Sequence, residues 1–379
     1  MVYRLKKGKT LLVDGPARVQ ILSGRVSVLG AQISQGVLVV RRGKRMPIEA
    51  LCDAEVELTM SEHASSLEIA ERSVPTLWKD AAGAILSRKE RKTILVIGGV
   101  DSGKTSFCTY LANSALALGY SVALLDSDLG QSDVGPPGTL SLVTIKEPVY
   151  DLFKLRPEEL FFVGVTSPSA KVSTILKAVA ILKDRSLEKG ANLIIVNTDG
   201  WVDGEEAINY KVELVKVVHP EYVIVIKTAD ELKQRVSNLE NVKVLFVDPP
   251  ENIKKRDRET RKILRESAYK KYLRDAKIRS FPLAWVKIHG GAEFDWLTEE
   301  KSGKIRNKEG RLSVSSTEAE GLLVALKDAG DTVLGIGIIC QVDCEKSLVK
   351  IWTPVKGTVS TIELGQIRLD KEGNEVDII

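Results

Sequence analysis

Hydrophobic positions fall into two textures along the chain. From Thr10 to about Glu57 they form short runs, Leu11–Val13, Val19–Leu22, Val26–Leu29 and Val37–Val40, broken at Asp14-Gly15-Pro16, Ser23-Gly24 and Arg42-Gly43. Short apolar runs between turn-forming residues predict strands, so this segment reads as a small β domain. An alanine- and charge-rich stretch, Trp78 to Lys92, predicts a helical connector. From Thr93 onward, apolar runs alternate with amphipathic stretches of helical length. Strands are expected at Thr93–Ile97, Ser121–Leu125, Leu193–Asn197, Tyr222–Ile226 and Lys243–Val247, and helices at Lys104–Ala117, Ala170–Lys189, Glu205–Val217 and Asp230–Ser237. That alternation predicts a parallel sheet with helices on both faces. Beyond Phe281 the glycine-punctuated strand texture returns, as at Thr332–Gln341 and Leu348–Trp352, and predicts a second β domain. The expected division is an N-terminal β domain with its connector over 1–88, an α/β core over 89–280 and a C-terminal β domain over 281–379. No repeat of fixed period interrupts this order.

Composition adds limits rather than a function. The 379 residues carry 55 Lys+Arg against 51 Asp+Glu, a formal charge of +4, and are 44% hydrophobic and 28% charged. Such a chain is globular and is neither disordered nor fibrous. No apolar stretch approaches the roughly 18 residues of a membrane span, and the start lacks a signal-peptide core, so a cytoplasmic protein with no membrane partner is expected. Cysteines at 52, 108, 340 and 344 form no C-x-x-C pair. Cys340 and Cys344 stay open between buried small residues and half of a redox or metal site. His63, His219 and His289 lack metal-ligand spacing.

Chemistry enters after the strand Ile94–Ile97. Gly98, Gly99, Val100, Asp101, Ser102, Gly103, Lys104 and Thr105 match G-x-x-x-x-G-K-[ST], and Ser106 continues into a helix-compatible run. A strand before and a helix after are the context this motif requires. Backbone N–H groups of the loop and the helix N-terminus face phosphate oxygens, Lys104 neutralises the terminal phosphates, and the Thr105 hydroxyl ligates Mg²⁺. The base is read less directly. A guanine-specific protein carries N/T-K-x-D late in the sheet, whereas Lys227-Thr228-Ala229-Asp230 places the aspartate one residue too far, which favours ATP. The next strand ends in Asp126-Ser127-Asp128-Leu129-Gly130-Gln131. Carboxylates at that strand end point into the crevice where Mg²⁺ and the γ-phosphate lie, so Asp126 and Asp128 are both candidates for holding the metal or accepting a proton.

Four segments together resemble the polynucleotide 5′-hydroxyl kinases, the RNA kinases of pre-mRNA cleavage, tRNA splicing and ribosomal RNA processing with their archaeal relatives. They are the loop G-G-V-D-S-G-K-T, the turn D-S-D-L-G-Q followed by P-P-G-T, the segment Thr198-Asp199-Gly200-Trp201, which looks like the family's T-x-G-W clasp, and the basic stretch from Arg256 to Arg265, which looks like its arginine lid. The β–kinase–β order also fits the family's three-domain plan. The resemblance implies a P-loop kinase core flanked by two β domains, acting on the 5′-hydroxyl end of RNA or DNA with ATP and Mg²⁺. Protein partners are left unknown. By position it gives Lys104 and Thr105 the phosphate and metal roles, makes Asp128 rather than Asp126 the base or metal-organising group, and places Gln131 near the metal or acceptor.

The acceptor side has its own chemistry. Thr198, Gly200 and Trp201 follow a strand at its ligand-binding end, where glycine permits close approach and an indole stacks on a terminal base for about 1–3 kcal/mol. On a helix Arg258, Arg261 and Arg265 share a face, and with Arg256 they form a basic segment able to clamp a transferring phosphoryl group. A regulatory P-loop ATPase, whose nucleotide state controls partner binding, is the alternative reading.

Overall fold

The structure is a computed structural model and describes residues 1–290, 319–343 and 345–378. It divides into two compact units. The first contains Met1–Asp128, Leu142–Arg156 and Leu176–Leu264, and the second contains Leu129–Ser141, Pro157–Ile175 and the chain from Arg265 onward.

In the first unit, the N-terminal strands form two antiparallel sheets. One has the order Val2–Leu5, Ala54–Met60, Ala17–Ser23, Gly36–Val40, and the other Ala31–Ile33, Val26–Val28, Arg45–Ala50, Thr10–Asp14, Ser65–Ile69. Period-two patterning drives this packing, since Ala17, Val19 and Ile21 face inward while Arg18 stays exposed. Leu11, Val13, Leu38, Ile48, Val56 and Leu58 complete one shared core. The turn at Gly43 has φ of +77°, a conformation open to glycine at little steric cost.

The connector is a helix over Thr76–Leu86 that buries Trp78, Ala81, Ala82 and Ile85, one stripe at helical spacing. It ends well before Lys92, the limit expected from composition. Lys92 instead opens the phosphate-loop strand, and its ammonium donates back to the carbonyls of Ile85 at 2.7 Å and Arg88 at 2.5 Å, capping the helix C-terminus.

Five parallel strands then pair in the order Val122–Asp126, Leu193–Asn197, Lys92–Gly98, Tyr222–Ile226, Lys243–Val247. Lys92–Gly98 is buried at every position, as a central strand covered on both faces must be. The helices Lys104–Ala117, Val172–Glu188, Glu205–Val218 and Asp230–Ser237 fall within two residues of their expected bounds. Strands at Thr139–Ile145 and Glu159–Phe162 were not anticipated.

The second unit is built on a sheet in the order Lys277–Pro282, Leu348–Thr353, Val333–Asp343, Leu322–Lys327, Thr361–Leu369, Lys287–His289, with Glu375–Ile378 added against Thr361–Leu369. Its central strand serves two cores. Leu322, Val324 and Leu326 face one, and Leu323 and Ala325 face the other with Phe162 and Tyr269. Among the described residues no helix is long and apolar enough to cross a membrane.

Trp78 links the connector to the phosphate-loop region. It is fully buried, meets Phe107 edge-on at 5.3 Å between centroids, and donates its indole N–H to the Asp248 carbonyl at 2.9 Å. Trp78→Ala should cost about 3–5 kcal/mol of stability, the range for truncating a buried aromatic. Denaturant unfolding measures this, and a loss below about 1 kcal/mol would contradict such a buttress.

Candidate active site

The phosphate loop is shaped by close backbone approach. A Cβ on Gly98 would lie 2.4 Å from the Ile226 carbonyl oxygen and 2.6 Å from Ser102 Oγ, so only glycine fits. Asp101 and Gly103 take φ of +52° and +96°, which turns the chain into the helix beginning at Lys104. The first N–H groups of that helix lie where its dipole favours an anion.

Lys104 is only 6% exposed, and its ammonium donates to the Gly99 carbonyl at 2.7 Å. Its pKa is lowered to about 8, by burial first and by Lys211 in addition, against the opposing pull of Asp128 and Asp199. Lys104 and Asp128 thus act on one another, and Asp128 is half-buried.

Asp126 occupies a different position. It is fully buried and accepts from Asn197 Nδ2 at 3.0 Å, while the same amide reaches Thr105 Oγ1 at 3.4 Å. Asn197 therefore ties the loop threonine to the first carboxylate, an arrangement fixed by the register that sets Asp126 opposite Asn197. Sequence reasoning did not single out Asn197. Hydroxyl and carboxylate oxygens are hard donors that fit Mg²⁺. Among the described residues no three His, Cys, Asp or Glu side chains converge as a metal cage.

The Thr198–Trp201 turn lies against the phosphate loop. A Cβ on Gly200 would stand 2.6 Å from Val100 Cγ2 and 2.9 Å from Val100 N, so the missing side chain allows backbone contact. Thr198 is buried, and its hydroxyl donates to the Val96 carbonyl at 2.8 Å, so it builds the turn.

Asp199 organises the rest of this turn. Its carboxylate accepts from the Trp201 backbone N–H at 2.9 Å, from Tyr210 OH at 2.9 Å and from Lys211 Nζ at 2.9 Å. The half-buried Trp201 ring stacks on Tyr210 at 5.8 Å with planes 26° apart, and the Lys211 ammonium lies 4.5 Å from the Tyr210 centroid. Burial raises the Tyr210 hydroxyl well above its ordinary pKa, and the Asp199 charge adds to this. Burial lowers Lys211 against the pull of Asp199 and Asp128. Asp199 stood only as the variable position of the Thr198–Trp201 segment, and Tyr210 and Lys211 were missed because a tyrosine and a lysine in an amphipathic helix look like ordinary helix positions.

The arginine segment divides. Arg256 is nonhelical, and the helix runs Arg258–Tyr272. Arg261 Nη2 donates to Asp101 Oδ2 at 3.1 Å, Arg256 Nε lies 3.5 Å from Asp101 Oδ1, and Arg258 is exposed. In the second unit Arg265 pairs with both Glu375 oxygens at 2.6 Å, so its partner differs from that of Arg261. Gln131 donates to the Gly130 carbonyl at 2.7 Å. Cys340 is half-buried and its thiol pKa is raised by burial; Cys344 lies outside the described residues.

A loop of this geometry at the carboxyl end of a central parallel strand defines a P-loop nucleotide-binding protein. Residues 98–275 match the family described as mRNA cleavage and polyadenylation factor CLP1 P-loop. A polyribonucleotide 5′-hydroxyl-kinase of Pyrococcus furiosus is 30% identical over 343 residues, covering 81% of this chain and 96% of that protein. Its namesake in Thermococcus kodakarensis is 30% identical over 334 residues, covering 78% and 93%, and that of Methanocaldococcus jannaschii 29% over 338, covering 79% and 93%. Among solved structures, the Clp1p–Pcf11p complex superposes with a TM-score of 0.76 over 97% of each chain at 14% identity, a likeness of fold. The chain belongs to the polyribonucleotide 5′-hydroxyl-kinase family, whose P-loop it shares with CLP1.

The contact of Gly200 with Val100 has a direct consequence. Gly200→Ala drives a methyl into phosphate-loop backbone, an overpacking worth about 1–3 kcal/mol. ATP affinity measured by calorimetry should fall roughly tenfold or more. Unchanged affinity would show that the turn does not set the loop.

Proposed function

We propose that this chain transfers the γ-phosphoryl group of ATP to the 5′-hydroxyl end of a polynucleotide, RNA foremost, with Mg²⁺ as the metal. The observation that carries this reading is the seating of the Thr198–Trp201 turn on the phosphate loop through Gly200 and Val100, since an acceptor held by that turn would lie beside the donor phosphates. A regulatory nucleotide switch has no need of an aromatic platform at that place.

Each side chain has a physical role in the transfer. The loop N–H groups and Lys104 hold the β- and γ-phosphates. Thr105 and Asp126, joined through Asn197, and Asp128 are the oxygen donors that would hold the ion, which when bound neutralises charge on the phosphate oxygens. Trp201, backed by Tyr210, offers a face on which a terminal base stacks whatever its identity. The acceptor oxygen forms a bond to the γ-phosphorus as the bond to the bridging oxygen breaks and ADP leaves with the electron pair. The hydroxyl proton passes to Asp128, which is half-buried and near enough to Lys104 to influence its charge. Arg261, and Arg256 beside it, stabilise the oxygens of the transferring group, whereas Arg265, engaged by Glu375, anchors the lid helix. Arg258, exposed at the helix start, is free to track the polynucleotide backbone.

Incubation with γ-labelled ATP and matched 5′-hydroxyl and 5′-phosphorylated RNA and DNA oligonucleotides tests the reading. Label should appear on the 5′-hydroxyl RNA only in the presence of Mg²⁺, and ATP turnover without label transfer would favour the regulatory ATPase. Asp128→Asn keeps shape but loses basicity, so kcat should fall on the order of 10²–10⁴-fold with little change in ATP affinity. Near-normal turnover would move the base to Asp126.

A further inference from the structure

Asp101 is out of place in a loop that gathers polyanions. A carboxylate beside the phosphate site repels the triphosphate, and nothing in phosphate binding requires one there. Its side chain is nevertheless only 8% exposed and is held in a residue with φ of +52°.

What surrounds it explains the choice. Asp101 Oδ2 accepts from the Arg256 backbone N–H at 2.9 Å and from Arg261 Nη2 at 3.1 Å, while Oδ1 lies 3.5 Å from Arg256 Nε. One carboxylate therefore gathers two guanidinium groups and one backbone donor from a segment more than 150 residues away in sequence. The stretch just before the lid helix has no regular structure of its own to fix it. Asp257 then accepts from the Thr260 N–H at 2.7 Å and caps the helix start, so the course of the chain is set at two consecutive residues, Arg256 and Asp257. The geometry is that of a seat: the loop that binds the donor phosphates also holds the arginines that act on them.

We infer that Asp101 is a positioning residue that seats Arg256 and Arg261 on the phosphate loop, so that the local cost of its negative charge is offset by two arginines delivered in fixed orientation. This rests on the kinase reading for its effect on rate, but the contact itself does not.

Asp101→Asn separates the seat from a bare loop charge because the two give opposite signs. A bare charge, once removed, relieves repulsion, so ATP binds more tightly and kcat is unchanged. A lost seat lowers kcat on the order of tenfold or more, since Arg261 no longer holds its orientation. The triple variant Asp101→Asn with Arg256→Ala and Arg261→Ala should then be little worse than the double variant Arg256→Ala with Arg261→Ala, because the aspartate acts through those two arginines. Multiplying losses, or a normal kcat in Asp101→Asn, would overturn the proposal.

Hydrogen exchange over residues 254–261 reads the contact whether or not the protein transfers phosphate. Exchange should accelerate there in Asp101→Asn while thermal melting of the whole chain stays near wild type, and unchanged protection would also overturn the seat. Asp101→Glu, which keeps the charge, should restore part of both kcat and protection. If the wild-type protein labels no oligonucleotide while exchange responds as expected, the kinase reading fails and the seat stands.

Discussion

A buried ammonium dominates the chemistry of this site. Lys104 sits at the head of a helix, almost fully buried, and burial, only partly offset by nearby carboxylates, leaves its pKa lowered to about 8. An ion so placed is costly unless opposite charge is near. Asp128 and Asp199 supply part of it, the Gly99 carbonyl accepts one hydrogen bond, and Lys211 works against them. The balance leaves a lysine poised to lose its proton in mildly alkaline solution and to regain it when phosphate oxygens arrive.

The sheet makes this possible by bringing distant segments to one edge. Strands Lys92–Gly98, Val122–Asp126 and Leu193–Asn197 end at one edge of the sheet, where register sets Asn197 opposite Val96 and Asp126 and the phosphate loop begins two residues beyond Val96. From there short turns do the rest. Asn197 joins Thr105 to Asp126, and two residues later Asp199 fixes Trp201, Tyr210 and Lys211. Because Lys211 also acts on Lys104, the phosphate site and the aromatic platform share one electrostatic environment.

Much of this was legible in the sequence, for identifiable reasons. The phosphate loop and core strands are local patterns, a run of apolar residues followed by fixed glycines and a lysine, and they lie where the pattern put them. The resemblance carried the kinase family, and the relatives at 30% identity bear it out. Asn197, Lys211 and the bond of Asp101 to Arg261 were not legible, because each depends on a pairing between residues far apart in the chain. The compact second unit draws on three separate segments, and hydrophobic texture marks only contiguous stretches. The connector was read too long because Lys92 looks like one more helix cation until its side chain is seen to fold back on that helix.

Proton uptake on nucleotide binding tests the role of Lys104 most directly. The sign follows from its lowered pKa: near pH 8.5 part of the free Lys104 population has lost its proton, bound phosphates raise the pKa, and binding draws protons in, so affinity falls as pH rises above about 8. The phosphates themselves are already fully ionised at that pH and contribute none. Calorimetric titration with ATP at pH 8.5, in buffers of different ionisation enthalpy, should give a net proton uptake on binding that is lost in Lys104→Met. Binding by the wild-type protein with no proton uptake would contradict the account.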